Sequence, residues 1–249
     1  MRKRADVLLV ERGHFDSRAK AQAAISAGLV TANGKPVRKA SESLEAEAAI
    51  EAQPAFPFVS RGGLKLEHAL DTFSVPVEGR VALDIGASTG GFSDVLLRRG
   101  VARVYAVDVG HDQLHASLRG NDRLISLEGQ DARKLDRSLV PDPIDLVVAD
   151  VSFISLALVL PAALALAAPG ADLAVLVKPQ FEAGRERVGK GGVVKDEAVH
   201  VEVCERIAGL VSSLGWKVNG VVPSPIEGGD GNKEFLLSAH RVSVAELMD

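Results

Sequence analysis

Seven short apolar runs alternate with helical patterns over the last three quarters of the chain, and this alternation constrains the fold most. The runs are 80–86, 102–110, 123–129, 144–152, 171–179, 216–222 and 233–241, with helical patterns at 90–100, 155–167 and 197–215. Strands that are apolar along their whole length and separated by helices are typical of a mostly parallel sheet covered on both faces. The pattern therefore predicts an α/β domain, and ligands bind such sheets beyond the carboxyl ends of the strands.

One segment of this pattern also resembles a membrane span. Residues 151–171 carry no charge, and a spanning helix needs about 20 mostly apolar residues. However, Asp150 and Asp172 flank the segment where a span carries basic or aromatic anchors, and its helical part, 155–168, is shorter than a span. We therefore expect no membrane insertion but a covering helix, with a kink or break at Pro161.

The first 40 residues are basic, whereas the rest of the chain is acidic. They hold nine Lys and Arg against three Asp and Glu, a net charge of +6, and the whole chain carries −4, so the remainder carries −10. A basic module of this kind can bind a polyanion such as RNA, and the alternative is an ordinary solvated basic face.

The order of elements in the basic module is readable from its sequence. A short helix is predicted over 5–13, and a second over 17–28, which Asp16 or Ser17 can cap. The dipeptide Asn33-Gly34 then predicts a tight β-hairpin, because both central residues of that turn need a positive φ.

A proline-containing linker separates the basic module from the α/β domain. Residues 53–58 read QPAFPF, and two prolines in six residues favour extended backbone. We expect an N-terminal domain of residues 1–58, with the linker covering about 53–60, and a second domain of residues 61–249.

The cysteine content and the N-terminus indicate a cytoplasmic protein. Cys204 is the single cysteine of the chain, which excludes an internal disulfide and suits a reducing compartment. Its helical setting favours a small buried hydrophobe over a nucleophile. The apolar run VLLV that follows the basic start is too short for a secretory signal.

The first strand of the α/β pattern leads into the glycine-rich sequence LDIGASTGGFSD, residues 83–94. A dinucleotide fingerprint would need glycine where Ser88 stands, and no P-loop sequence is present, so neither a nicotinamide site nor a P-loop is predicted. Asp108 ends the second strand about 20 residues further on, where an acid accepts ribose hydroxyls. Asp131 follows the third strand, and either aspartate alone could be a helix cap.

Four charged residues are predicted at the same edge of the sheet. Asp150 and Lys178 end the fourth and fifth strands, Lys65 precedes the first strand within SRGGLKL, and Glu234 begins the last strand. Taken singly, each could be a surface charge. A carboxylate and an ammonium group at the ligand edge are instead typical of a functional site.

These motifs resemble known families. The loop D-x-G-x-x-x-G-G-F is similar to the S-adenosylmethionine loop of Rossmann-like methyltransferases, and the Lys-Asp-Lys-Glu set with S-R-x-x-x-K-L resembles the FtsJ-type 2′-O-methyltransferases. The basic module resembles the S-four RNA-binding module, and residues 2–241 together resemble the TlyA family, described as ribosomal-RNA cytidine 2′-O-methyltransferases and as haemolysins. The resemblance implies a Rossmann-like methyltransferase sheet, mostly parallel with its last strand antiparallel, and a small N-terminal α+β domain.

The resemblance also implies roles for individual residues. Lys178 is the central catalytic residue, Asp150 orients it, and Lys65 and Glu234 position the hydroxyl. The cofactor S-adenosyl-L-methionine is expected to contact Asp84, Gly86, Ala87, Ser88, Thr89, Gly90, Gly91, Phe92, Asp108, Asp131 and Ala132. Ribosomal RNA, within ribosomal subunits, is expected to contact Arg2, Lys3, Arg4, Arg18, Lys20 and Lys35. Independently of the resemblance, residues 184–199 form a Gly-rich basic loop after the fifth strand. This basic loop could hold RNA phosphates through Arg185, Arg187 and Lys190, and the alternative is an ordinary solvent loop.

Other functions stay open at the level of the sequence. No metal is expected, because His111 and His115 form H-x-x-x-H without a further ligand. The competing classes are a membrane-lysing haemolysin and an RNA-binding protein with a degenerate methyltransferase fold.

Overall fold

The computed structural model describes residues 2–228 and 231–242. Contacts within the chain divide it into two compact units, Met1–Ser60 and Arg61–Asp249.

The first unit combines two short helices with small antiparallel pairings. Its elements are β1 (Arg2–Arg4), α1 (Ala5–Glu11), α2 (Arg18–Ser26), β2 (Val30–Ala32), β3 (Lys35–Pro36), β4 (Ser43–Glu45) and β5 (Ile50–Ala52). Strand β1 pairs with β4, and β2 lies between β3 and β5. Ser17 caps α2, and the predicted hairpin is confirmed, with Asn33 and Gly34 both at positive φ.

The second unit is a seven-stranded sheet with helices. Its elements are α3 (Gly62–Thr72), β6 (Val81–Ile85), α4 (Gly91–Arg98), β7 (Arg103–Asp108), β8 (Leu124–Glu128), β9 (Ile144–Ala149), α5 (Leu156–Ala165), β10 (Ala167–Val177), α6 (Pro179–Glu182), α7 (Glu197–Ser213), β11 (Trp216–Pro223) and β12 (Phe235–Arg241). The strand order is β11-β12-β10-β9-β6-β7-β8. Only β12 is antiparallel among these strands of the described chain, so the expected fold class is confirmed.

Two helices of this unit were not predicted. Helix α3 carries Lys65, and α6 directly follows Lys178. Glycine is a poor helix former, and α3 begins with Gly62 and Gly63, so the local sequence gives little sign of it.

The uncharged segment 151–171 forms part of the core. Helix α5 spans ten residues, about 15 Å at 1.5 Å per residue. Its buried side chains, among them Leu156 and Leu160, pack in the main core cluster. Across the described part of the chain, no helix combines the length and apolar character that a membrane span requires.

Of the kink or break expected at Pro161, the break is wrong. Helix α5 continues through Pro161 to Ala165. Proline removes the hydrogen bond to the carbonyl four residues earlier, that of Ala157, and its ring crowds that carbonyl. Pro161 is exposed, so water can reach that side of the helix. The helix is also shorter than expected, because the chain enters β10 at Ala167.

Candidate active site

The Asp150 and Lys178 side chains meet where two neighbouring parallel strands end. Asp150 follows β9 and Lys178 follows β10, and the register pairs Ala149 with Val175. Lys178 Nζ lies 2.6 Å from Asp150 Oδ1, although the contact has the distance of an ion pair without the alignment of a hydrogen bond. Nζ also donates to Ser152 Oγ at 2.9 Å. Lys178 Nζ therefore contacts oxygen atoms of two residues, Asp150 and Ser152, that both follow β9.

Lys65 and Glu234 form a second ion pair at this edge. Because β12 is antiparallel to β10, with Phe235 opposite Val177, its first residues lie beside the carboxyl end of β10. Helix α3 brings Lys65 there, and its Nζ donates to Glu234 Oε2. Both side chains are buried, 7% and 3% exposed. The structure thus arranges the four predicted residues as two ion pairs.

The glycine loop lies against the same edge. Gly86 has φ +78°, and a Cβ on it would lie 2.6 Å from the carbonyl oxygen of Asp150. Gly90 has φ +89° and is the N-cap residue of α4. The amides of Gly86 and Ala87 both donate to the Val107 carbonyl, which ties the loop to β7. Only glycine therefore lets this loop pass so close to the residue that pairs with Lys178.

Asp108 fixes the loop from the end of β7. Its Oδ2 accepts from the Ser88 amide and its Oδ1 from the Gly110 amide, each at 2.8 Å. A carboxylate oxygen has a second lone pair, so Asp108 can still accept from a ligand.

Asp131 caps a short 3₁₀ helix that contains Ala132. It accepts from the Arg133 amide at 3.0 Å, and its ion pair with the Arg133 side chain lowers the pKa of Asp131 to about 2. The capping role and a ligand role are compatible, since Asp131 also lines the cleft described below.

Asp84 is a fully buried carboxyl group beneath the glycine loop. Ser93 Oγ donates to its Oδ2 at 2.7 Å, and its Oδ1 has no hydrogen-bond partner among the described residues. Burial raises the pKa of Asp84 to about 7, and the negative charges of Asp150 and Asp108 add to this.

This pKa predicts a pH-dependent effect of Asp84→Asn. The unfolded carboxyl loses its proton near pH 4, whereas the folded one keeps it until about pH 7. Folded protein therefore binds more protons in this window, and Asp84 lowers stability progressively as pH rises through it. We expect the free energy of unfolding of the variant, relative to wild type, to increase from pH 5 to pH 8 in urea titrations. A difference that does not change with pH contradicts this.

A cleft lies beside the glycine loop at this edge of the sheet. Its volume is about 370 Å³, within the range of small-molecule sites. Its lining comes from residues at or just after the carboxyl ends of four adjacent strands. These residues include Gly86, Ser88, Asp108, Ala132 and Asp150. Among the other predicted contacts, Phe92 is buried in α4 and Thr89 accepts at its carbonyl from the His115 amide.

A larger cavity of about 700 Å³ lies between α7 and the beginning of β12. Of the predicted site residues, it includes Glu234. Cys204 also lines it, and burial raises the pKa of this thiol to about 11. The thiol is therefore protonated at neutral pH, as expected for a packing residue and not for a nucleophile.

Many of the predicted RNA-binding side chains pair with carboxylates. Arg4 and Arg18 both bind the buried Asp6, and the hydrogen bond from Arg4 holds the pKa of Asp6 well below its usual range. Similar ion pairs join Lys3 to Glu11, Lys20 to Asp16 and Arg187 to Glu202. Arg2 donates to the Ser43 carbonyl, while Lys35, Arg185 and Lys190 are exposed.

Sequence reasoning missed three residues beside Lys178. Ser152 accepts from its Nζ, and the Phe181 ring centroid lies 5.9 Å from Nζ. Phe153 is 91% exposed, has φ +65°, and its ring centroid lies 5.0 Å from that of Phe181. A non-glycine residue at positive φ is uncommon, but the sequence VSFISL carries no signal of it.

Comparison with protein families identifies both units. A model described as FtsJ-like methyltransferase matches residues 58–241, and an S4 domain model matches residues 3–50. The 16S/23S rRNA (cytidine-2'-O)-methyltransferase TlyA of Mycobacterium tuberculosis is 45% identical over 240 residues, 95% of this chain and 89% of the relative. Hemolysin A of Brachyspira hyodysenteriae is 38% identical over 234 residues, 94% and 98% respectively.

Solved structures agree with this grouping. One from Streptococcus thermophilus that bears the hemolysin name is 40% identical with a TM-score of 0.76, and the match covers 98% of this chain and 92% of that one. A SAM-dependent methyltransferase from Aquifex aeolicus, 22% identical with a TM-score of 0.50, covers 74% and 94% and shares the fold. The chain therefore belongs to the FtsJ-like methyltransferase family and carries an S4 domain before its methyltransferase domain.

Proposed function

We propose that this protein is an S-adenosylmethionine-dependent methyltransferase that modifies the ribose 2′-oxygen of cytidine in ribosomal RNA. The observation that carries the proposal is the Lys178–Asp150 ion pair at the mouth of the glycine-loop cleft, which Asp150 itself lines. The relative from Mycobacterium tuberculosis supports the choice of cytidine and ribosomal RNA.

The cleft fits the cofactor by its size and its chemistry. Gly86 lets the loop lie against the Asp150 backbone, and Asp108 and Asp131 offer carboxylate acceptors at the ends of neighbouring strands. We assign the ribose hydroxyls to Asp108 and the adenine amino group to Asp131. When bound, S-adenosylmethionine supplies an activated methyl group.

The charged residues supply the proton chemistry. A ribose hydroxyl is a weak nucleophile that must lose its proton as the new O–C bond forms, so a positioned base is needed. Lys178 Nζ first releases a proton to solvent and then, as the neutral amine, accepts the proton of the hydroxyl. Asp150 and Ser152 hold Nζ in place, and Asp150 stabilises the resulting ammonium. The Lys65–Glu234 pair lies beside it and orients the hydroxyl.

RNA contact is assigned to the N-terminal module and to residues 184–199. We place the boundary between the RNA-docking and catalytic domains near residues 58–61. Folded RNA is recognised largely through shape and phosphate charge, and both regions present basic side chains. Because Arg4 and Arg18 share Asp6, they are held in fixed positions, and their guanidinium groups keep further donors for phosphate oxygens.

The basic loop gives a salt-dependent prediction. Arg185 and Lys190 form no ion pair with the described residues, whereas Arg187 is paired with Glu202. Replacing Arg185 or Lys190 with alanine should weaken RNA binding and lower the slope of log affinity against log salt by about 1 each. Arg187→Ala should change the slope less. Filter binding across a salt series measures this, and equal slopes for all four proteins would oppose the assignment.

The function is tested by transfer of a labelled methyl group to purified ribosomal subunits. Label should enter RNA, not protein, and remain in alkali-resistant dinucleotides, because a methylated 2′-oxygen cannot cleave the chain. Calorimetry with S-adenosylmethionine tests the degenerate-fold alternative, which requires no binding. Because relatives carry the hemolysin name, dye release from liposomes is the parallel assay. If the protein releases dye from liposomes and transfers no methyl group, the proposed function is wrong and the membrane-lysing alternative is supported.

A further inference from the structure

Glu182 joins the two segments that carry Lys178 and Asp150. Its side chain is 2% exposed. Oε1 accepts from the Leu156 amide at 2.7 Å, and Oε2 accepts from Ser155 Oγ at 2.6 Å. Arg206 of α7 donates to the Glu182 carbonyl at 2.6 Å and lies 3.3 Å from Oε2. The carboxylate thus caps the first turn of α5 from a neighbouring segment.

These contacts close a ring of interactions, formed by residues 150–155 and 178–182, that includes the catalytic pair. Ser155 lies five positions after Asp150, and Glu182 lies four positions after Lys178. The segments start from adjacent paired strands, meet at the Lys178–Asp150 contact, and meet again at the Glu182–Ser155 contact. The rings of Phe153 and Phe181 touch between these two points.

We propose that Glu182 is a positioning residue that holds Lys178 Nζ against Asp150. The inference rests on the proposed function. Short segments pinned at both ends have little freedom, so the ring restricts the position of Nζ. Catalytic groups depend on such supporting contacts, since a displacement of about 1 Å can cost about 100-fold in rate.

Variants of Glu182 test the ring. Glu182→Ala should lower kcat at least about 10-fold with the KM for S-adenosylmethionine within about threefold, since Glu182 is not among the residues that line the cleft. Glu182→Gln keeps an acceptor for the Leu156 amide, so its kcat should lie between those of Glu182→Ala and the wild type.

Asp136→Ala is the matched control. Asp136 also accepts from a serine hydroxyl and a backbone amide, those of Ser138, but in the connection to β9. Asp136→Ala should leave both kcat and the KM for S-adenosylmethionine unchanged. Equal kcat in wild type and Glu182→Ala, or equal losses in Glu182→Ala and Asp136→Ala, would overturn the inference. If Glu182→Ala does not fold, Glu182→Gln and Ser155→Ala take its place under the same criteria.

A structural measurement separates this inference from the proposed function. Absence of methyl transfer by the wild type would refute the function and not the ring. The crystal structure of Glu182→Gln or Glu182→Ala then decides: an altered Nζ–Oδ1 contact supports the ring, and an unchanged 2.6 Å contact contradicts it.

Discussion

Lys178→Ala is expected to lower kcat for methyl transfer by about 10²–10⁴-fold, the usual contribution of a positioned base. Affinity for S-adenosylmethionine should stay within a few-fold, because Lys178 is not among the residues that line the 370 Å³ cleft in the described chain. Lys178→Arg should be similarly inactive, since a guanidinium keeps its charge and cannot accept the proton. Single-turnover kinetics and calorimetry measure the two quantities.

Lys217→Ala is the control for this prediction. Lys217 is an exposed lysine on β11, so its loss should leave kcat unchanged. A Lys178→Arg variant with near wild-type kcat would show that Lys178 acts only through its charge and would contradict its role as the base.

Glu234→Ala is expected to lower the free energy of unfolding by about 3–5 kcal/mol, the usual cost of leaving one buried charge without its partner. The cause is Lys65, whose buried ammonium loses its only ion pair within residues 2–228 and 231–242. The double variant Lys65→Met, Glu234→Leu removes both charges and should recover most of this stability, because apolar replacement of a buried pair is often neutral. We expect both variants to lack methyltransferase activity.

Urea unfolding followed by circular dichroism measures these stabilities. Glu234→Gln is the matched single variant, since it keeps the shape and an acceptor oxygen but not the charge. A double variant as unstable as Glu234→Ala would mean that the pair itself stabilises the fold. A double variant with full activity would remove the pair from the site.

The strands and their ends were predictable because their signals are local. Each of the seven predicted runs overlaps an observed strand. Parallel strands place their carboxyl ends at one edge, so Asp150 and Lys178 had to be neighbours once β9 and β10 were paired. The Asn33-Gly34 hairpin is equally local, since two residues determine its turn.

Contacts between distant parts of the chain were not predictable in the same way. Lys65 and Glu234 are 169 positions apart, and their pairing depends on α3. This helix is hard to predict from the sequence because it begins with two glycines. Arg18 pairs with the buried Asp6 twelve positions earlier, on another helix, so counting charges overstates the free basic surface. Pro161 failed as a break because a helix tolerates proline where its freed carbonyl can reach water.

In the proposed reaction, the Lys178–Asp150 pair directs methyl transfer to a ribose oxygen of cytidine. The most direct test is mass spectrometry of nucleosides from ribosomal subunits incubated with S-adenosylmethionine and either wild-type protein or Lys178→Ala. We expect 2′-O-methylcytidine with the wild type and only background levels with the variant. Methylation on the base, or equal amounts of 2′-O-methylcytidine from both proteins, would contradict it.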